Sequence, residues 1–89
     1  MKQIDEKVRF FKALGDPIRL EIVYHLLGLQ SPICICDLSK VIKRDPSVIF
    51  RHVKLLNQAG IIHSQKENKF LMCEIKDKEH IKNILQMTR

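Results

Sequence analysis

Apolar residues along this chain recur mostly at helical spacing, with one short stretch that alternates as a strand does. Ile4, Val8, Phe11 and Leu14 step by threes and fours, which predicts a helix from about Gln3 to Leu14 with Gly15 as its stop. Asp16 then offers a side-chain cap, and Pro17 suits a first helical position, where a missing N–H costs nothing. Leu20, Val23 and Leu27, with Ile22 and Leu26 beside them, form the buried side of a second helix that Gly28 ends. A short third helix is expected from about Asp37 to Ile42. The turn Lys43-Arg44 leads to Asp45-Pro46, a second cap-and-proline start, and the fourth helix runs to Ala59 before Gly60 stops it. Ile61 to Gln65 and Phe70 to Ile75 read as paired strands around Lys66-Glu67-Asn68-Lys69, where Asn68 can take the left-handed turn conformation. A last helix starts near Lys78 and carries Ile81, Ile84, Leu85 and Thr88 on one side.

This order predicts a mainly α fold with a small β-hairpin. Helices three and four are joined by a tight turn and followed by the hairpin, a winged helix-turn-helix of order α-α-α-α-β-β-α. No repeat, low-complexity tract or linker interrupts it, so residues 1–89 read as a single domain. A chain this short buries only about 60% of its unfolded surface, a marginal core for a monomer. The helices within 1–14 and 78–89 carry apolar stripes, Ile4/Val8/Phe11 and Ile81/Ile84/Leu85, that so small a core leaves partly uncovered. Pairing them across a two-fold axis buries both stripes, which predicts a homodimer suited to a palindromic operator.

Charge sharpens the picture more than composition does. The chain is 45% hydrophobic and 29% charged, as an ordinary globule is, with a net charge of +6. Met1 to Ser39 carries equal numbers of basic and acidic residues. Lys40 to Lys69 carries Lys40, Lys43, Arg44, Arg51, Lys54, Lys66 and Lys69 against only Asp45 and Glu67. A basic field confined to the middle third favours a polyanion such as double-stranded DNA, although a solvated basic face kept for solubility gives the same count. No apolar run reaches the roughly 20 residues of a membrane span. The N-terminus MKQIDEKVRFFK is too charged for a signal peptide, and three cysteines, an odd number, point to a reducing cytoplasm.

The fourth helix can be tested as a reader. With Ile49 as reference, His52, Val53 and Leu56 fall within about 60° of it and face the domain, while Ser47, Arg51, Lys54 and Gln58 fall within about 40° of the opposite pole. That pole suits a major groove, with Ser47 and Arg51 at base edges and Lys54 nearer phosphate. Lys43 and Arg44 in the turn and Lys66 and Lys69 in the hairpin flank it with cations. Val48 and Phe50 border the stripe; they suit thymine methyl groups, the seam with helix three, or a protein surface. His52 reads as a packed, hydrogen-bonded side chain.

Three stretches carry a family resemblance that extends from Phe11 to Ile75: KALGDPIRLEIVYHLL (Lys12 to Leu27), ICICDL (Ile33 to Leu38) and RHVKLLNQAGI (Arg51 to Ile61). Together they resemble the arsenical-repressor family of metal-sensing regulators, the ArsR/SmtB type. The resemblance implies a dimeric repressor whose fourth helix reads the operator and whose wing touches the flanking backbone. The arsenic and heavy-metal sensors of that family carry Cys-Val-Cys-Asp-Leu, which Cys34, Cys36, Asp37 and Leu38 match. Ser39 stands where some of them have a further cysteine, and Met1 to Ile33 contains none. Of the zinc-type site on the last helix the chain offers Asp77 and His80 without a second pair.

The resemblance thus implies a thiophilic inducer, As(III), Cd, Pb or Zn, at Cys34 and Cys36. Residues two apart on a helix point about 200° apart, whereas in extended chain they share a face. These two cysteines lie where an extended segment led by Pro32 becomes a helix, so a shared ion would strain the first turn and could couple to the reading helix packed on it. The helix N-terminus and Lys40 favour thiolate there, and Asp37 opposes them. Two thiolates are few beside the four ligands usual for structural zinc. Cys73 alternates with Leu71 and Ile75 on an inward strand face and reads as core. Competing readings are a regulator of the same fold that senses nothing or senses oxidation, and a winged-helix protein-interaction module. An enzyme has the weakest case, for the sequence shows no carboxylate pair, phosphate loop or nucleophile–base arrangement.

Overall fold

Three aspartates and one cysteine start the helices that matter most. The computed structural model describes residues 1–87. It opens with α1 (Lys2–Leu14), then α2 (Pro17–Leu27), whose first turn Asp16 caps by accepting the N–H groups of Ile18 and Arg19 at 3.0 and 3.1 Å. A two-residue strand β1 (Ile33–Cys34) passes directly into α3 (Ile35–Ile42), where Cys34 Sγ accepts the N–H of Asp37 at 3.4 Å. Lys43 closes α3 in the left-handed conformation, φ 63° and ψ 47°. Asp45 caps α4 (Pro46–Gln58), and β2 (Ile62–Glu67) and β3 (Phe70–Ile75) follow, with Asn68 between them at φ 56°. Asp77 caps α5 (Lys78–Gln86) through the N–H of His80. Gly60, at φ 78°, lets the chain leave α4 for the hairpin, a turn that an L side chain would strain.

One continuous apolar core joins every helix to the hairpin. Ile22, Val23 and Leu26 of α2, Leu38 and Ile42 of α3, and Ile49, Val53 and Leu56 of α4 meet Ile61, Ile62, Cys73 and Ile75. The strands form an antiparallel sheet of order β1-β3-β2. Ile33 lies opposite Cys73 and Cys34 opposite Met72 on one edge, and Ile62 lies opposite Ile75 on the other.

The fold is a winged helix-turn-helix, as the pattern predicts, with three differences. Strand β1 was not expected: two residues are too few for alternation to register, and only the open edge of β3 makes them a strand. Helix α3 begins at Ile35, two residues before the predicted Asp37, because a cysteine supplies the cap and cysteine is not a usual capping residue. Ile81 does not belong to a free stripe. It is 2% exposed and completes the subunit's own core, while Ile84 and Leu85 are half-buried against it. Helix α5 is held inward: Lys78 Nζ donates to the Leu29 carbonyl, and the His80 and Phe10 rings lie 6.1 Å apart. Thr88, expected on the same stripe, lies outside the described residues.

Candidate nucleic-acid interface and thiol pair

The two sides of α4 separate as its period requires. Ile49, Val53 and Leu56 are buried, while Ser47, Arg51, Lys54 and Gln58 are exposed. Ser47 donates both its N–H (2.9 Å) and its hydroxyl (2.7 Å) to Asp45 Oδ1. These bonds, with Arg51 nearby, hold the Asp45 carboxyl below the usual carboxylate range, so the cap stays charged at neutral pH. Lys43 and Arg44 are exposed in the turn before α4, and Arg44 Nη1 donates to the Lys43 carbonyl at 3.1 Å. Val48 is half-buried, and Phe50 keeps 46% of its surface exposed.

The wing stands beside this helix. Asn57 Nδ2 donates to Ser64 Oγ at 2.7 Å, joining α4 to β2 across a shallow groove that Phe50 and Lys54 border. Lys66 and Lys69 are exposed on the hairpin, and Lys69 Nζ lies 5.9 Å from the Phe70 ring centroid. The outward pole of α4 stays exposed, although at its end Gln58 shares a groove with Asp5, Val8, Arg9 and Lys12 of α1. The sequence reading missed Asn57, and it missed Arg19, which donates through Nε to the Ala13 carbonyl (2.7 Å) and touches His52 Nδ1 through Nη1 (3.1 Å). The available signal was a lone arginine in the first turn of α2, whose other charged side chain is the exposed Glu21. His52 is packed and hydrogen-bonded, as its position on the wheel suggests.

The thiols divide by environment. Cys34 is half-buried, paired in the sheet and capping α3; Cys36 is exposed in the first turn of α3. They do not share an extended face. Ser39, buried where a further cysteine would stand in related sensors, donates its hydroxyl to the Cys36 carbonyl at 2.7 Å. Lys40 lies 3.9 Å from Asp37 in an exposed, weak ion pair. Among the described residues no group of three or more Cys, His, Asp or Glu is placed to hold a metal ion. Asp77 Oδ1 accepts the N–H of His80 as a helix cap. Cys73 is a core residue: its thiol donates to the Ile33 carbonyl at 3.4 Å, and burial, with lesser repulsion from Cys34 and Glu74, pushes its pKa up to about 11.

Of the residues expected at a dimer contact, Ile4, Val8 and Phe11 are exposed along one side of α1, Phe11 by 59%. Tyr24 of α2, not foreseen, is exposed as well and shares a shallow depression with Leu85.

Residues 16–64, more than half of the sequence, match the family model described as "Bacterial regulatory protein, arsR family". The chain belongs to the ArsR family. A cadmium resistance transcriptional regulatory protein CadC homolog from Staphylococcus aureus is 33% identical over 78 residues, 88% of this chain and 63% of that protein. This chain therefore spans somewhat less than two thirds of that relative. An HTH-type transcriptional regulator of Methanocaldococcus jannaschii is 31% identical over 87 residues, covering 98% of this chain and 96% of the other. In structure, a homodimeric winged helix-turn-helix DNA-binding domain from Mycobacterium bovis, described as a possible ArsR-family regulator, superposes with a TM-score of 0.85. It covers 98% of this chain and 81% of its own at 17% identity, a likeness of fold. ArsR-family proteins are regulators, not enzymes. Among the described residues no helix is long and apolar enough to cross a membrane.

Proposed function

We propose that this chain is a sequence-specific, DNA-binding transcriptional repressor that acts as a homodimer on a palindromic operator and is released by soft-metal or thiol chemistry at Cys34 and Cys36. The observation that carries the reading is the exposed cationic pole of α4, Ser47, Arg51 and Lys54, set between Lys43/Arg44 and a wing bearing Lys66 and Lys69. Ser47, Val48, Phe50 and Arg51 face base edges and thymine methyl groups; the lysines and Arg44 meet phosphate. The exposed α1 stripe supplies the contact between two copies; the M. bovis domain of the same fold is homodimeric.

The relative named for cadmium resistance and the Cys-x-Cys-Asp-Leu pattern support a thiophilic inducer: As(III), Cd, Pb or Zn. Cys34 and Cys36 supply two soft donors, and the remaining donors come from a second copy or from solvent. Cys34 Sγ caps α3 while its backbone is paired to β3, so engaging that sulfur removes a cap beside the reading helix and pulls on the wing sheet.

A gel mobility shift across salt concentrations tests the function. Binding is expected to weaken steeply with salt, and Lys54→Ala to lower the log–log slope by about one. Binding that ignores salt rejects DNA as the ligand. Arsenite, cadmium or lead is expected to release the wild type and to leave Cys34→Ser and Cys36→Ser bound. Serine is itself a good cap, so Cys34→Ser removes the donor and keeps the helix. Undiminished release from both variants eliminates the thiol pair.

A further inference from the structure

Arg19 sits half-buried where three helices meet. Its Nε donates to the Ala13 carbonyl at 2.7 Å and its Nη2 to the Lys12 carbonyl at 3.3 Å, which closes the last turn of α1. From α2 its Nη1 reaches His52 Nδ1 on α4 at 3.1 Å. A guanidinium has donors only and stays protonated, so Nδ1 must accept. That contact fixes His52 as a neutral imidazole with its proton on Nε2. Asp16 Oδ2, 3.9 Å from the same Nδ1, is already engaged by the N–H groups of Ile18 and Arg19.

We propose that Arg19 and neutral His52 form a clasp that holds α4 in its DNA-reading orientation, and that protonation of His52 opens it and weakens operator binding. The inference rests on the DNA-reading function proposed above. A protonated Nδ1 would place two donors face to face at the observed separation, and it would turn instead toward the Asp16 carboxylate, whose Oδ2 lies 3.9 Å away and caps α2. The reading helix would then lose its tie to the end of α1 or be drawn toward the first turn of α2.

The charged groups nearest the ring are of both signs. Arg19 and Asp16 face it from α2; Arg9, Lys12 and Asp5 of α1 line the groove that Arg19 shares with Leu55; Arg51 precedes it on α4. Neither α3 nor β2 brings a hydrogen-bonding or oppositely charged group to the ring among the described residues. The expected direction is itself diagnostic. Protonating His25, His63 or His80 adds positive charge and strengthens attraction to phosphate, whereas opening the clasp weakens binding.

The test uses the whole chain and a duplex that it selects from a random-sequence pool at about pH 8, with salt held constant. Between about pH 8 and about pH 5.5, the interval in which histidine ordinarily changes charge, the Kd of the wild type is expected to rise about tenfold. His52→Asn, whose amide oxygen can accept from Arg19 without titrating, is expected to bind as the wild type does at the upper pH and to stay flat. A wild-type affinity that is constant or rises on acidification, or a His52→Asn profile that falls in parallel, overturns the proposal. Nitrogen-resolved NMR of the free protein supplies a second readout that needs no DNA. At about pH 8 the His52 signals are expected to report the Nε2–H tautomer. A proton on Nδ1 there overturns the clasp. Failure to select any duplex rejects the DNA-reading function instead, and the tautomer still decides the clasp.

Discussion

Lys43 shows how one residue can serve two demands that conflict. The tight turn between α3 and α4 needs a left-handed residue, and glycine would fill it without strain, yet the chain keeps a lysine there at φ 63°. A non-glycine residue in that region costs about 1 kcal/mol or more, which a charge at the edge of a DNA-reading surface would justify. Lys43→Gly is therefore expected to leave thermal stability unchanged or raise it by up to about 1 kcal/mol while weakening operator binding, compared by calorimetry and by titration. Loss of stability with unchanged affinity would refute this account. Cys34 has a similar double duty. Its sulfur caps a helix weakly, where serine would cap it better, and under the proposed thiol regulation the weaker cap keeps a soft donor in place.

Among the elements, α2 depends most on its first turn. Asp16 caps it, and the Arg19 N–H does most to hold the carboxyl below the usual range; the Arg19 guanidinium, His52 once protonated and the Ile18 N–H add to this, against some loss of solvation. A depressed carboxylate contributes stability that is fully present above the unfolded pKa and is lost as pH falls through the folded value. Stability is thus expected to fall below about pH 4, and Asp16→Asn, which keeps a capping oxygen without a charge to titrate, should flatten that limb in thermal melts. Asp16→Ala should cost about 1 kcal/mol at neutral pH. Equal acid sensitivity in the wild type and Asp16→Asn would show that other carboxylates dominate. The α3–α4 pair and the wing are joined by α4: its inner side supplies Ile49, Val53 and Leu56, and its end is tied to β2 by Asn57 and Ser64.

For the whole molecule, the decisive feature is the apolar side of α1 left open in a single subunit. Ile4, Val8 and Phe11 are exposed on a helix whose buried contribution is Ala13 and Leu14. Phe11→Glu places a charge on that stripe outside the core, so the subunit should fold while the dimer dissociates. Sedimentation is expected to show a monomer, and operator affinity to fall by about a hundredfold or more as the second half-site contact is lost. A Phe11→Glu dimer that binds DNA normally would move the interface elsewhere. Ile81 belongs to a different class: its truncation would open the core and unfold the subunit rather than separate two of them.

Much of this architecture was legible in the chain because local physics sets it. Asp-Pro at two helix starts, glycines at their ends, and apolar residues stepping by threes and fours mark the helices without reference to their packing partners. The split of α4 into an apolar and a cationic side also follows from its period alone. Strand β1 required a neighbour, since Ile33 and Cys34 become a strand only against the open edge of β3. The inward turn of Ile81 required a place in the core, which spacing cannot assign when both sides of a terminal helix have candidates. The Arg19–His52 contact spans 33 positions along the chain, and no local signal encodes which nitrogen meets which donor. Sequence determined the elements and their charged sides, because those depend on neighbours within a turn or two; the tertiary structure decided what caps, clasps and closes them, because those contacts come from residues far apart in the chain.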